Sequence, residues 1–286
     1  MRYDWLAFLT DYGRRDGFVA TCHGVIATIA PDVRVIDVTH DVPPQDVRHG
    51  AAVLAQIVPY LPSAVIVGVV DPGVGTRRRG VAVNAGHSVL IGPDNGLLSW
   101  AADALGGART AVSLDNDKYL RRGAAVTFDG RDVFAPAAAH VARGVPIGDL
   151  GPQVADLVRL PEPRRDVEPG RVTTEVLTID HFGNVQLAAT RADLAAAGIA
   201  DAQPGEPAGG GATPGPGPAR AGGAVVVDMP TRTVPIRHGR TFADAPPGEP
   251  VLYVDSAGHA AVAVNRGSAA AEFTLSSGDQ VTISEA

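Results

Sequence analysis

Five short polar clusters stand out because each follows an apolar run. They are Thr10-Asp11-Tyr12-Gly13, Asp37-Val38-Thr39-His40, Asp71-Pro72-Gly73-Val74-Gly75-Thr76, Gly92-Pro93-Asp94-Asn95-Gly96 and Thr127-Phe128-Asp129-Gly130-Arg131-Asp132. A carboxylate at such a place accepts hydrogen bonds from hydroxyls or takes up a proton. It also serves as an ordinary turn former or helix cap. Around Asp71 the flanking residues add information. Pro72 fixes φ, and Gly73 and Gly75 let the backbone approach a ligand closely. A sixth cluster, Asp180-His181-Phe182-Gly183-Asn184, joins a carboxylate, an aromatic ring and an amide. That trio suits an amine, a flat ring and the edge of a base. The alternative there is a β-turn with Asn in the left-handed region.

These clusters need a frame that brings strand ends together. Apolar runs at 5–10, 34–38, 64–70, 80–84 and 87–92 read as strands. Helical spacing joins Val19, Cys22, Val25, Ile26 and Ile29, and again Val47, Ala51, Leu54 and Val58. Strands alternating with helices predict an α/β domain over residues 1–155 with a largely parallel central sheet. The runs lack polar alternation, as expected of strands covered on both faces. In such sheets ligands bind beyond the carboxyl ends of the strands, where the clusters lie. Residues 156–170, rich in charge and proline, read as a linker. Short β-type runs at 172–179, 224–228, 251–255, 260–264 and 280–284 predict a smaller all-β, barrel-like domain over 171–286, with one helical stretch at 191–197. The Gly- and Pro-rich segment 203–223 has too few side chains to bury, and reads as a flexible insertion.

Composition removes several classes. The net charge of -7, with 24 basic and 31 acidic residues, argues against a nucleic-acid binder, whose affinity rests on phosphate neutralisation. Cys22 is the only cysteine, so neither an intrachain disulfide nor a cysteine zinc site is available. The histidines show no i, i+4 pair, so the spacing suggests no metal site. Gly73-x-Gly75 lacks the third glycine of a dinucleotide fingerprint, and neither a Walker motif nor a Gly-x-Ser-x-Gly elbow occurs. With no apolar leader and no long apolar span, a soluble cytoplasmic protein is expected.

Taken in order, Thr10-Asp11-Tyr12-Gly13, Asp37-Val38-Thr39-His40, Val70 to Thr76, Gly92 to Leu97, Gly130-Arg131-Asp132 with Pro136, Asp180-x-Phe182-Gly183-Asn184 and Asn265-x-Gly267-Ser268 resemble the S-adenosylmethionine hydroxide adenosyltransferases, relatives of the fluorinase and chlorinase enzymes. The resemblance spans nearly the whole chain except 203–223. It implies an N-terminal α/β domain, a C-terminal barrel-like domain and a homotrimer with the ligand between subunits. It implies S-adenosylmethionine as substrate, with no further cofactor and no metal. Water-derived hydroxide would attack ribose C5′ to give adenosine and L-methionine.

The resemblance also implies roles. The family's Asp-Arg-His trio maps its Asp to Asp71 and its Arg to Arg78, but its His position is Asp129 here. Asp11 matches the residue that holds the ribose hydroxyls, and Asp180 the residue near the methionine amine. Phe182 and Asn184 match the adenine side, Ser256 a methionine-side serine, and Asn265 the adenine-reading segment. Ala257 stands where halogenase relatives have an arginine. A sulfonium departs as a neutral thioether, so the chemical demand falls on water, with its pKa of ~15.7. An ordinary carboxylate at position 129 is a poor base for water, near pKa ~4, unless it and Asp71 share a proton and one pKa rises. Two rivals remain: a halide-using enzyme of the same superfamily, and a non-catalytic S-adenosylmethionine or adenosine binder. The presence of Asp71 and the absence of the fluorinase insertion before Gly92 favour water.

Overall fold

The structure is a computed structural model and describes residues 1–121, 123, 127–199 and 223–286. The segment expected to be a flexible insertion therefore lies outside the described residues, except Gly223. The chain separates into two compact units, Met1–Pro161 and Glu162–Ala286.

The first unit runs β1 (Trp5–Thr10), α1 (Phe18–Ile29), β2 (Arg34–Thr39), α2 (Val47–Ile57), β3 (Val65–Val69), β4 (Gly80–Ala85), β5 (Ser88–Pro93), α3 (Ser99–Ala104), β6 (Ala108–Ser113) and α4 (Ala135–Ala142). Its six strands form one sheet in the order β2-β1-β3-β5-β4-β6. The strands β2, β1, β3 and β5 pair in parallel. The expectation of a largely parallel sheet needs correction at one side, where β4 is antiparallel to both β5 and β6. The cause is local. Only Gly86 and His87 separate β4 from β5, and Gly86 has a positive φ of 54°. Two residues can close a hairpin but cannot cross over to a parallel partner.

Both faces of the sheet are covered. The alternation along β1 sends Leu6 and Phe8 into a core shared with α1 and α4 residues such as Ile26 and Ala138. Ala7 and Leu9 go into the opposite core, with Leu54 of α2 and Ala101 of α3. Burial on both sides explains why β1, β3 and β5 read as unbroken apolar runs. The polar residues are left to the strand ends, where backbone pairing stops.

The second unit holds β7 (Arg165–Glu168), β8 (Arg171–Ile179), β9 (Val185–Thr190), α5 (Arg191–Ala196), β10 (Ala224–Asp228), β11 (Thr233–His238), β12 (Pro250–Val254), β13 (His259–Val264), α6 (Ala269–Phe273) and β14 (Gln280–Glu285). The order β14-β10-β11-β12-β13-β9-β8 closes on itself because β14 also pairs with β8. Closure removes exposed sheet edges, and β7 flanks β8 outside the ring. The interior is filled by Val172, Leu187, Val227, Leu252, Val262 and Ile283. The unit is a barrel as expected, though it carries two short helices as well as strands. Segment 156–170 contributes to both units. Asp156 pairs with Arg79, the Val158 N–H bonds Asp94, and Arg165–Glu168 is strand β7.

Candidate active site

Three carboxylates meet in the first unit, two from strand ends and one from the start of a helical turn. Asp11 follows β1, and its Oδ2 accepts the Gln45 N–H at 2.9 Å. Asp71 lies two residues beyond β3, in a turn tied by the Thr76 hydroxyl to the Gly73 carbonyl at 2.7 Å. The Asn95 amide donates to the Val70 carbonyl at 2.9 Å, so the Gly92–Gly96 motif braces the segment that carries Asp71. Asp129 immediately precedes a π-helical turn, Gly130–Phe134, that runs into α4. Such wide turns recur at functional sites because they re-aim the residues at their ends.

Arg78 connects two of these acids. Its Nε donates to Asp71 Oδ1 at 3.1 Å, and its Nη2 donates to Asp71 Oδ2 and, at 2.6 Å, to Asp129 Oδ2. The guanidinium fork thus holds Asp71 in a bidentate pair while bridging to Asp129. Side-chain exposure is 9% for Arg78, 6% for Asp71 and 22% for Asp129. Burial pushes the Asp71 carboxyl above its ordinary range; Arg78 opposes that push, and the charge of Asp129 adds to it.

Asp11, Asp71 and Asp129 line a cavity of about 310 Å³ whose aromatic wall is Tyr12, Phe18 and Phe128. The three rings pack on one another with centroids 5.1–5.8 Å apart. Burial, with the nearby acids adding, pushes the Tyr12 phenol well above its ordinary range, so it stays neutral. A Cβ on Gly130 would fall 2.1 Å from the Tyr12 hydroxyl. Only glycine leaves room for that ring. The sequence motifs included Tyr12 and Phe128 but not Phe18. Its signal was a large aromatic at the first turn of a helix that follows a strand-end acid.

Other acids of these clusters serve the frame. Asp94 takes Arg79 at 2.6 Å and the Val158 N–H at 2.9 Å. Asp132 pairs with Arg131. Asp37 and His40 of the Asp37-Val38-Thr39-His40 motif meet His23 of α1 in a separate group that histidine spacing did not signal.

In the second unit, Asp180 organises its own turn. Its Oδ1 accepts the N–H groups of Phe182 and Asn184 at 2.9 Å each, and its Oδ2 accepts the Asn184 amide at 2.7 Å. The residue in the left-handed region is Gly183, with φ 82°, rather than Asn184. A Cβ there would meet Ser268 Oγ at 2.0 Å. The turn presents Phe182, which is 75% exposed. Asn265 donates its amide to the Ala245 carbonyl at 2.7 Å. Ser256 is exposed in the turn between β12 and β13, beside Asp255, which accepts the Ala257 and His259 N–H groups.

The N-terminal domain model of the SAM hydroxide adenosyltransferases matches residues 6–151, and the C-terminal domain model matches residues 174–282. The chain belongs to the SAM hydroxide adenosyltransferase family. It is 53% identical to the (R)-S-adenosyl-L-methionine hydrolase of Salinispora arenicola, covering 98% of this chain and 97% of that one. A fluorinase from an Actinoplanes species is more distant, at 30% identity over 98% and 97%. Among solved structures, an uncharacterized conserved protein from Thermotoga maritima superposes with a TM-score of 0.85 at 29% identity, covering 98% of this chain and all of that one. Set in this hydroxide adenosyltransferase, the expected Asp71–Arg78 pair is assembled. Asp129 lies within reach of the same guanidinium.

Proposed function

We infer that the chain hydrolyses S-adenosyl-L-methionine to adenosine and L-methionine, with water as the nucleophile at ribose C5′. The observation that carries this reading is the buried Asp71–Arg78–Asp129 cluster at the edge of the aromatic-walled cavity. Substrate arrives as a sulfonium cation, which an acid-lined cavity attracts. As the water oxygen bonds to C5′, the C5′–S bond breaks and its electron pair stays on sulfur. Asp71 takes the water proton. A negative carboxylate and a positive sulfonium thus become a neutral acid and a neutral thioether. Exclusion of water favours such charge annihilation.

The upward push on Asp71 supports giving the base role to that carboxylate, since a base works better as its pKa nears the working pH. Arg78 orients Asp71 and offsets its repulsion with Asp129. Asp129 then positions Arg78 from the other side and adds negative charge near the sulfonium. Asp11 accepts the ribose hydroxyls, its carboxylate steadied by the Gln45 N–H. Phe182 stacks on adenine and Asn184 reads its edge, while Asp180 and Ser256 face the methionine end and Asn265 the adenine segment. In the homotrimer that the family resemblance implies, the exposed Phe182 ring would cover a nucleoside held by the cavity of a neighbouring subunit. No cofactor enters this scheme.

The test is to incubate the enzyme with S-adenosylmethionine and excess chloride or fluoride and separate the nucleosides. Adenosine is the expected product. A 5′-halo-adenosine would assign the chain to halide chemistry, and tight calorimetric binding without turnover would make it a binder.

A further inference from the structure

We propose that His23, Asp37 and His40 form a binding site for a first-row divalent cation of the zinc class, separate from the catalytic cavity. α1 supplies His23, the end of β2 supplies Asp37, and the loop after β2 supplies His40. His23 Nε2 lies 2.9 Å and His40 Nε2 3.0 Å from Asp37 Oδ1. All three donor atoms fall within 4.8 Å of one another.

The decisive feature is His40. Its side chain is 2% exposed, and its buried Nε2 has no hydrogen-bond partner of good geometry, the nearest polar atom being Asp37 Oδ1 at 3.0 Å. A buried imidazole nitrogen without a hydrogen bond is costly unless something else uses its lone pair. The opposite nitrogen, Nδ1, is 2.9 Å from the buried Thr10 hydroxyl. Donation from Nδ1–H to Thr10 leaves the Nε2 lone pair facing Asp37 and His23. That is how metal-binding imidazoles are usually held, by a partner on the far nitrogen.

The donor set selects the ion. Two imidazoles and one carboxylate, with water completing four-fold coordination, suit zinc or cobalt; magnesium and calcium prefer oxygen alone. Bonds of ~2.0–2.1 Å in a tetrahedral site place donors roughly 3.3 Å apart. The two histidine–aspartate separations need open only slightly. His23 and Asp37 can do so, since their side chains are 34% and 37% exposed and leave an entry path. An ion here would tie α1 to the end of β2. Through Thr10 it would also steady the residue next to Asp11.

The test uses chelator-treated full-length protein titrated with Co²⁺ and followed by its visible ligand-field bands, with Zn²⁺ in competition. One tetrahedral Co²⁺ per chain, displaced by Zn²⁺, is expected. His23→Ala and Asp37→Asn should each weaken binding by at least ~10–100-fold while keeping the wild-type circular dichroism, since loss of even an outer partner costs that much. His40 and His23 Nε2 resonances should shift with Zn²⁺ in long-range ¹H–¹⁵N spectra. Binding weaker than ~1 mM, or binding that His23→Ala leaves unchanged, would overturn the site and leave a simple His–Asp–His hydrogen-bonded cluster.

Discussion

Arg78 is asked to do two things at once, and substitution can separate them. Removing it leaves two mostly buried carboxylates facing each other without a cation, which costs about 3–5 kcal/mol of stability where the charges stay ionised. Asp71→Asn is the cleaner probe, since amide and carboxylate share a shape. We expect kcat to fall by ~10²–10⁴ with substrate binding largely kept. The pH profile gives a second readout. Because the Asp71 pKa is raised in the free protein, kcat/KM should fall as pH drops through a point above the usual ~3.9. Bound sulfonium favours the ionised form, so the acid limb of kcat should lie lower than that of kcat/KM. Identical limbs, or an unchanged limb in Asp71→Asn, would remove Asp71 as the base. Asp129→His restores the family's usual trio, and turnover measured by adenosine release should be retained or increased. Complete loss would show that the acid at 129 has its own duty. The sequence made Asp71 and Arg78 visible as types and positions. It could not show that one guanidinium nitrogen serves both acids, because that depends on how the turn at 73–76 folds Arg78 back seven residues onto Asp71.

Among elements, the strand ends carry the site, and these were legible. β1, α1, β2, α2, β3 and β5 lie where their apolar patterns placed them, to within a residue or two. Where the structure departs from the pattern, the reason is physical. The Gly86-His87 turn is a hairpin signal that two neighbouring apolar runs disguised as parallel strands. Helices α3 and α4 are alanine-rich and lie mostly buried, so they show little polar periodicity. Strands β9 and β11 escaped notice for want of a long apolar run. The π-helical turn after Asp129 has no sequence signature, yet it sets how Gly130 meets Tyr12. Gly130→Ala tests that contact. Its methyl must displace the Tyr12 ring, so KM should rise and stability fall by ~1–3 kcal/mol. Adding Tyr12→Phe removes the clashing oxygen and should restore part of both, read by thermal melts and steady-state kinetics. No recovery in the double variant would mean that the strain lies elsewhere.

For the whole molecule, each unit holds part of the proposed recognition surface. The first holds the carboxylates and their cavity, and the second holds the Phe182 turn. No helix among the described residues is long and apolar enough to cross a membrane. If neighbouring subunits complete the site, the protein should sediment as a trimer and lose activity on dilution into monomers. A fully active monomer would refute that arrangement. Phe182→Ala should raise KM by roughly 5–160-fold, the worth of one base–aromatic stack. The central claim is that water attacks carbon, and isotope labelling reads it directly. Hydrolysis of S-adenosylmethionine in H₂¹⁸O, followed by mass spectrometry of the nucleoside, should place one ¹⁸O on the 5′-oxygen of adenosine and none in methionine. Adenosine free of label, or no adenosine at all, would contradict the account.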